Sequence, residues 1–253
     1  MTAAPPGLRR IEDVMGMPVI VDVRDGDIGE GPPDDVFDWL HLVDERFSTY
    51  KPESEVCRVD RGELVLADAH PDVQWVLARC EELSRQTGGY FDLRAGPDGA
   101  LDPSGLVKGW AVDGAAAILE AAGAANYAVN AGGDIRLRGG ALPDDRWRVG
   151  IQHPLERDRI AAVVETRDLA VATSGAYERG EHVFDPHTHR PPAGVLTVTI
   201  TGPDLATADA YATAAFAMGT RGAPWTATLN GYEAMTILAT GPVLFTQGFP
   251  TAG

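Results

Sequence analysis

The segment Thr173-Ser174-Gly175-Ala176-Tyr177-Glu178-Arg179-Gly180-Glu181-His182-Val183-Phe184-Asp185-Pro186 gathers hydroxyl, guanidinium, imidazole and carboxylate groups in one short stretch. Val183 and Phe184 are apolar and strand-like, and Pro186 stops the strand. His182 and Asp185, three apart around such a strand, face opposite sides and make no catalytic pair by spacing alone. Further on, Ala206-Thr207-Ala208-Asp209-Ala210-Tyr211-Ala212-Thr213-Ala214 sets a carboxylate and a hydroxyl at i and i+4 on one helical face. Oxygen donors so placed suit Mg²⁺, and Mg²⁺ suits a phosphate substrate. Asp209 stands among Ala, Tyr and Phe, so its charge needs a partner to offset desolvation.

Other stretches carry weaker signals. Ser104-Gly105-Leu106-Val107-Lys108-Gly109 could hold phosphate at a helix N-terminus, with Gly105 allowing close backbone approach and Lys108 supplying charge. It lacks P-loop spacing, and an ordinary Asp/Pro/Ser-initiated helix reads as well there. Ala131-Gly132-Gly133-Asp134 is a hairpin turn or a surface for a flat ligand. The chain has no GxGxxG, so a Rossmann dinucleotide site has no support. His182, His187, His189 and Asp185 do not follow a zinc spacing, and one active-site His with two surface-loop His is the preferred reading. Neither Asn130-Ala131-Gly132 nor Thr173-Ser174-Gly175 makes a nucleophile elbow.

These residues need elements to hold them. Pro18–Val23 reads as a strand after Met15-Gly16-Met17. Val36, Leu40, Val43 and Phe47 form one helical face ending before Pro52. Pro71 starts a second helix through Val73, Val76, Leu77, Cys80 and Leu83, and Gly88-Gly89 stops it. Asp102–Gly109 leads into a third, Trp110–Ala122. Tyr127–Asn130 and Ile135–Arg138 flank the Gly132-Gly133 turn as strands. Further strands are Trp147–Ile151, Ile160–Thr166, Leu169–Thr173, Val195–Thr201, Met235–Ala239 and Val243–Thr246. A helix surrounds Asp209, and a small turn region lies near Trp225. Strands broken by helices at irregular intervals give α+β with a largely antiparallel sheet, in a single mixed domain.

The chain has 253 residues, 44% hydrophobic, enough for one large core. A net charge of -16 argues against a nucleic-acid or anionic-membrane binder. Cys57 and Cys80 form no ligand pattern and read as free thiols. Residues 1–10 read as a flexible tail without an apolar leader, and 11–253 as the domain. No run reaches the length of a membrane helix, so the expectation is a cytoplasmic protein.

In order along the chain, the motifs resemble the ApbE family of FAD:protein FMN transferases. Met15-Gly16-Met17 resembles the family's Met-Gly-Thr, Ser48-Thr49-Tyr50 its Ser-x-Tyr, and Gly89-Tyr90-Phe91-Asp92 its Gly-x-Phe-Asp. Asp102 through Asp113 resembles Asp-x-x-Gly-x-x-Lys-Gly-x-x-x-Asp. Asn130-Ala131-Gly132-Gly133, Trp147–Pro154, Thr173-Ser174-Gly175, His182–Pro186 and Ala208–Ala214 follow the family's later motifs. The stretch from Asp92 to Asp102 is shorter than the family's usual one, and His187-Thr188-His189 replaces its Arg-Thr-Gly.

The resemblance implies an α+β domain with flavin in a cleft. Met15, Tyr50, Phe91 and Asp92 would lie along FAD, Asp102 at its adenine or ribose, and Lys108 nearby. Tyr90, Thr173, His182 and Val183 would complete the FAD contacts. Asp209 and Thr213 would ligate Mg²⁺, helped by backbone oxygens of Gly105 and Ala212. His182 would be the catalytic base or orienting group. The implied activity is transfer of FMN from FAD to a Thr or Ser hydroxyl of an acceptor flavoprotein, with AMP leaving. The alternatives are an FAD pyrophosphatase and a non-catalytic FAD-binding protein.

Overall fold

The computed structural model describes residues 7–26, 29, 31–141, 144–156, 158–175 and 183–252. The described strands are β1 (Leu8–Val14), β2 (Met17–Val23), β3 (Tyr127–Ala131), β4 (Asp134–Arg138), β5 (Trp147–Gln152), β6 (Ile160–Thr166), β7 (Leu169–Gly175), β8 (Val195–Gly202), β9 (Glu233–Leu238) and β10 (Val243–Phe245). Eight form one sheet in the order β1-β2-β3-β4-β7-β8-β9-β10, and every neighbouring pair is antiparallel. β5 and β6 pair separately. The described α-helices are α1 (Gly31–Phe47), α2 (Glu55–Asp60), α3 (Pro71–Gln86), α4 (Ser104–Ala121), α5 (Leu205–Ala217) and α6 (Gly222–Thr226).

Alternation along the strands gives the sheet two buried faces. Val19, Val21, Ala170, Ala172, Val198 and Ile200 pack with α1, α3, α4 and α5 in the main core. Val171, Met235 and Ile237 point the other way and pack with Ile151 and Val164 of the β5–β6 pair. A sheet covered on both faces leaves its central strands nearly without exposed residues, as the burial of β7 and β8 shows.

α5 is buried on almost all sides, from Leu205 to Ala217. A helix apolar all round belongs in an interior, and its alanines let both the sheet and α4 approach. Gly109 makes the approach of α4 possible. A Cβ there would lie 2.5 Å from the Leu205 carbonyl oxygen and 2.8 Å from Ala206 Cα. The two residues of the β3–β4 turn, Gly132 and Gly133, have φ of 59° and 103°. That is the left-handed geometry of a two-residue hairpin, and it sets Asp134 at the first position of β4.

The α+β reading with a largely antiparallel sheet is borne out, and several boundaries move. β1 begins at Leu8, inside the stretch read as a tail. Its pattern is hidden because Arg10 and Glu12 face α1, where they pair with Asp34 and His41, while Ile11 points to solvent. α4 starts at Ser104, so Ser104–Gly109 is helix rather than lead-in. α2 lies in what read as a connection, and α6 occupies the turn region near Trp225. Val183 and Phe184 are not in a strand; only Asp185 makes an isolated bridge, to Arg190. Pro186, Pro191 and Pro192 remove ladder donors on both sides of it. Cys57 and Cys80 are free, and burial pushes the Cys80 thiol up to about 12.

Candidate functional site

The first two turns of α4, the first residue of β4, the end of β7 and the middle of α5 meet in one place. Lys108 Nζ lies 2.5 Å from Asp134 Oδ2 and 3.7 Å from Asp209 Oδ1. Both carboxylates are buried, at 1% and 2% exposure. One cation between two buried anions offsets the desolvation that either would suffer alone. Asp134 Oδ1 also accepts from Thr173 N at 2.9 Å, and Thr173 Oγ1 pairs with Thr199 Oγ1 at 2.9 Å. Asp134 thereby ties β4, β7 and α4 together.

Thr213, one helical turn after Asp209, lies 3.4 Å from Ser174 Oγ. Opposite it is Gly105. A Cβ at Gly105 would lie 3.4 Å from Thr213 Oγ1 and 3.1 Å from Phe91 Cε2. The missing side chain leaves a cradle between the two helices, walled by Phe91. Carboxylate, hydroxyl and backbone oxygens are hard donors, which is the chemistry Mg²⁺ selects. Asp209 and Thr213 supply a carboxylate and a hydroxyl of that kind, one helical turn apart and beside the space at Gly105. Among the described residues, no three His, Cys, Asp or Glu side chains cluster as a metal site.

The position of α5 is set from α4. Asp113 Oδ2 accepts from Leu205 N at 2.9 Å and from Ala206 N at 2.9 Å, capping the helix that carries Asp209. Burial raises the Asp113 carboxyl to about 6, against these two hydrogen bonds, which lower it. Asp204 adds a cap by accepting from Thr207 N at 2.8 Å. Arg136 and Arg138 of β4 reach Asp113 and Glu120 of α4 at 3.8 and 2.7 Å. With Lys108–Asp134 these pairs form a ladder that fixes the register of β4 against α4.

The ApbE family's sequence description matches residues 15–100 and 93–236. The chain belongs to the ApbE family. The FAD:protein FMN transferase of Haemophilus influenzae is 31% identical over 243 residues, covering 71% of this chain and 70% of that protein. Those of Vibrio cholerae and Salmonella typhimurium are 37% and 32% identical over 133 and 165 residues. Those two alignments cover 49% and 61% of this chain but only 40% and 46% of the relatives, so the chain spans about half their length or less. The solved structure of the flavin transferase ApbE from Vibrio cholerae has the same fold, with a TM-score of 0.85 at 23% identity over 96% of this chain and 98% of that one. The flavinyl transferase ApbE of Pseudomonas stutzeri superimposes with a TM-score of 0.84 at 22% identity over 100% and 99% of the two chains.

The ApbE motifs are thus spread over distinct elements. In the Lys-Gly-x-x-x-Asp run, Lys108 pairs with the carboxylates, Gly109 admits α5 and Asp113 caps it. Phe91 is buried beside Gly105, while Asp92 and Asp102 are exposed. The short segment between them is closed by Asp102 N donating to Leu93 O at 2.8 Å and by Arg94 Nη1 donating to Gly99 O at 2.7 Å. Met15 occupies the β1–β2 turn with φ of 54°, a conformation unusual for a side chain of its size, and packs against the main core. Tyr50 is 93% exposed. Tyr90 is half-buried, and Val183 packs against the main core. His182 lies outside the described residues.

The sequence pattern alone assigns no individual role to Asp134, Asp113 or Ser174. Asp134 has a signal: a carboxylate that opens an alternating strand behind a Gly-Gly turn, next to inward Ile135 and Leu137, needs a partner, as Asp209 does. Asp113 had only its place in the motif, because its partners on α5 are brought near by the fold alone.

Proposed function

We propose that this chain transfers FMN from FAD to a Thr or Ser hydroxyl of an acceptor flavoprotein and releases AMP. The observation that carries the reading is the convergence of Lys108 and Thr213 with the buried carboxylates of Asp134 and Asp209 at the Gly105 cradle, in a chain of this family. In the reaction the acceptor oxygen bonds to the FMN phosphorus. The bond from that phosphorus to the bridging oxygen of the pyrophosphate breaks, and AMP departs with that oxygen. The acceptor proton passes to a base, and His182 is the residue to which the resemblance gives this role.

Asp209 and Thr213, with the Gly105 and Ala212 carbonyls, would hold Mg²⁺, which supplies charge neutralisation for the pyrophosphate. Lys108 keeps the two buried carboxylates oriented and adds a positive charge on the same side. Phe91 offers an apolar wall. The exposed ring of Tyr50 has the free surface on which a flat ligand can stack.

The test is incubation with FAD and Mg²⁺, with and without a candidate acceptor flavoprotein, following AMP and the acceptor's mass. Acceptor-dependent AMP release with an FMN-sized addition on Thr or Ser is the expected result. AMP release at the same rate without acceptor would make the chain an FAD pyrophosphatase. FAD recovered intact from both mixtures would make it a binding protein.

A further inference from the structure

The loop after Phe184 docks on the turn that leaves α3. Asp185 and Arg190 bridge, with Asp185 N donating to Arg190 O at 2.8 Å and His189 N to Asp185 O at 2.8 Å. His187 N donates to Asp185 Oδ1 at 2.9 Å, which fixes the loop backbone at His187. His189 takes φ of 54° and stays exposed, as a surface-loop histidine should.

His187 is different, although it too is exposed by area. Its Nε2 donates to the Gly88 carbonyl at 3.1 Å. Its ring meets the Tyr90 ring edge-on, with centroids 4.5 Å apart. Arg221 lies over Tyr90 at 5.1 Å and reaches Asp185 Oδ2 at 3.5 Å. A Cβ on Gly89 would come within 3.3 Å of His187 Cε1. Gly89 has φ of 83°, so glycine is needed there for conformation as well as space.

The turn held this way delivers Phe91. Thr87 Oγ1 donates to Leu83 O at 2.8 Å and accepts from Phe91 N at 3.0 Å. Phe91 then lies against Gly105, beside Thr213. A continuous path of contacts therefore runs from His187 through Gly88, Gly89 and Tyr90 to the wall of the cradle.

We propose that His187 is a positioning residue of the flavin site. It fixes the Gly88–Tyr90 turn so that Phe91 already stands against Gly105 and Thr213 before substrate enters. The proposal rests on the flavin-transfer reading for its consequence, but the clamp itself belongs to the ligand-free protein. Without His187, the turn's freedom must be lost at binding, so FAD affinity falls while the chemistry at the phosphorus is spared.

The experiment compares wild type with His187→Ala, His187→Gln and His187→Leu. Hydrogen exchange over residues 87–92 is read without ligand, and FAD affinity and transfer at saturating FAD are read alongside. His187→Ala should exchange faster in that segment and bind FAD roughly fivefold to a hundredfold more weakly, the size of one lost hydrogen bond and one ring contact. Its saturated transfer rate should stay within about threefold of wild type, as loss of binding alone requires. His187→Gln, whose amide can donate to Gly88, should recover most of both losses. His187→Leu fills space without a donor and should recover less. Wild-type exchange and wild-type FAD affinity in His187→Ala would overturn the proposal. A wild-type protein that binds no FAD would defeat the flavin reading, and the exchange data would still decide the clamp: faster exchange sustains it, and unchanged exchange removes it.

Discussion

Gly109→Ala tests whether the site depends on the approach of two helices. The added Cβ would sit 2.5 Å from Leu205 O, 2.7 Å from Leu205 C and 2.8 Å from Ala206 Cα. All three are backbone atoms, so no side-chain rotation relieves the contact. α5 must move from α4 by about 1 Å to restore an ordinary separation, and overpacking of that kind costs about 1–3 kcal/mol. The same displacement stretches the 2.9 Å bonds from Leu205 N and Ala206 N to Asp113. It also draws Asp209 and Thr213 away from Lys108 and Gly105. A misplacement of about 1 Å at reacting groups can lower a rate by ~10²-fold. Thermal unfolding and FMN transfer would be measured for Gly109→Ala and for Gly123→Ala. Gly123 has φ of 91° and open space around it, so alanine there strains the backbone at the far end of α4 only. Both variants should be destabilised, and only Gly109→Ala should lose transfer. Wild-type stability and transfer in Gly109→Ala would refute the argument that close packing of these helices builds the site.

Two further expectations concern titratable groups. Asp113 has its folded pKa raised to about 6 from 3.8 by burial, so its contribution to stability is fully present below about pH 4 and is lost as pH rises through 6. Asp113→Asn keeps an acceptor oxygen for the α5 cap but cannot ionise. Its stability relative to wild type should improve from pH 4 to pH 7 by up to about 3 kcal/mol, and a pH-independent difference in denaturant titrations would contradict this. His182→Ala should retain FAD binding, lose about 10²–10⁴-fold in transfer rate and flatten the acidic limb of the pH–rate profile. Transfer at the wild-type rate would remove His182 as the base.

Much of the fold was legible because its elements carry simple periods. Val36, Leu40, Val43 and Phe47 repeat as a helix does, and all four are buried on one side of α1. The glycines of Gly132-Gly133 mark a hairpin, and the pairing Ala131↔Asp134 closes it. β1 was missed because its inward residues are charged and find their partners on α1, which a local pattern does not show. In the site, the i,i+4 pair Asp209 and Thr213 could be read directly. The Lys108–Asp134 pair could not, since the sequence places the two residues on separate elements and only the sheet order brings β4 under α4. His187 and Gly88 are farther apart still, 99 positions along the chain, and their contact exists only through the docking of one loop on another turn.

Metal-dependent FMN transfer at the cluster around Asp209 is the activity proposed above. The most direct measurement is the FMN mass gained by an acceptor flavoprotein, followed against Mg²⁺ concentration for wild type and Asp209→Asn. The substitution keeps the size of the buried side chain and removes its charge, so the fold should persist by circular dichroism. Mg²⁺-dependent labelling by wild type and loss of that labelling in Asp209→Asn are the expected results. Equal labelling by both proteins across the titration would contradict the proposal.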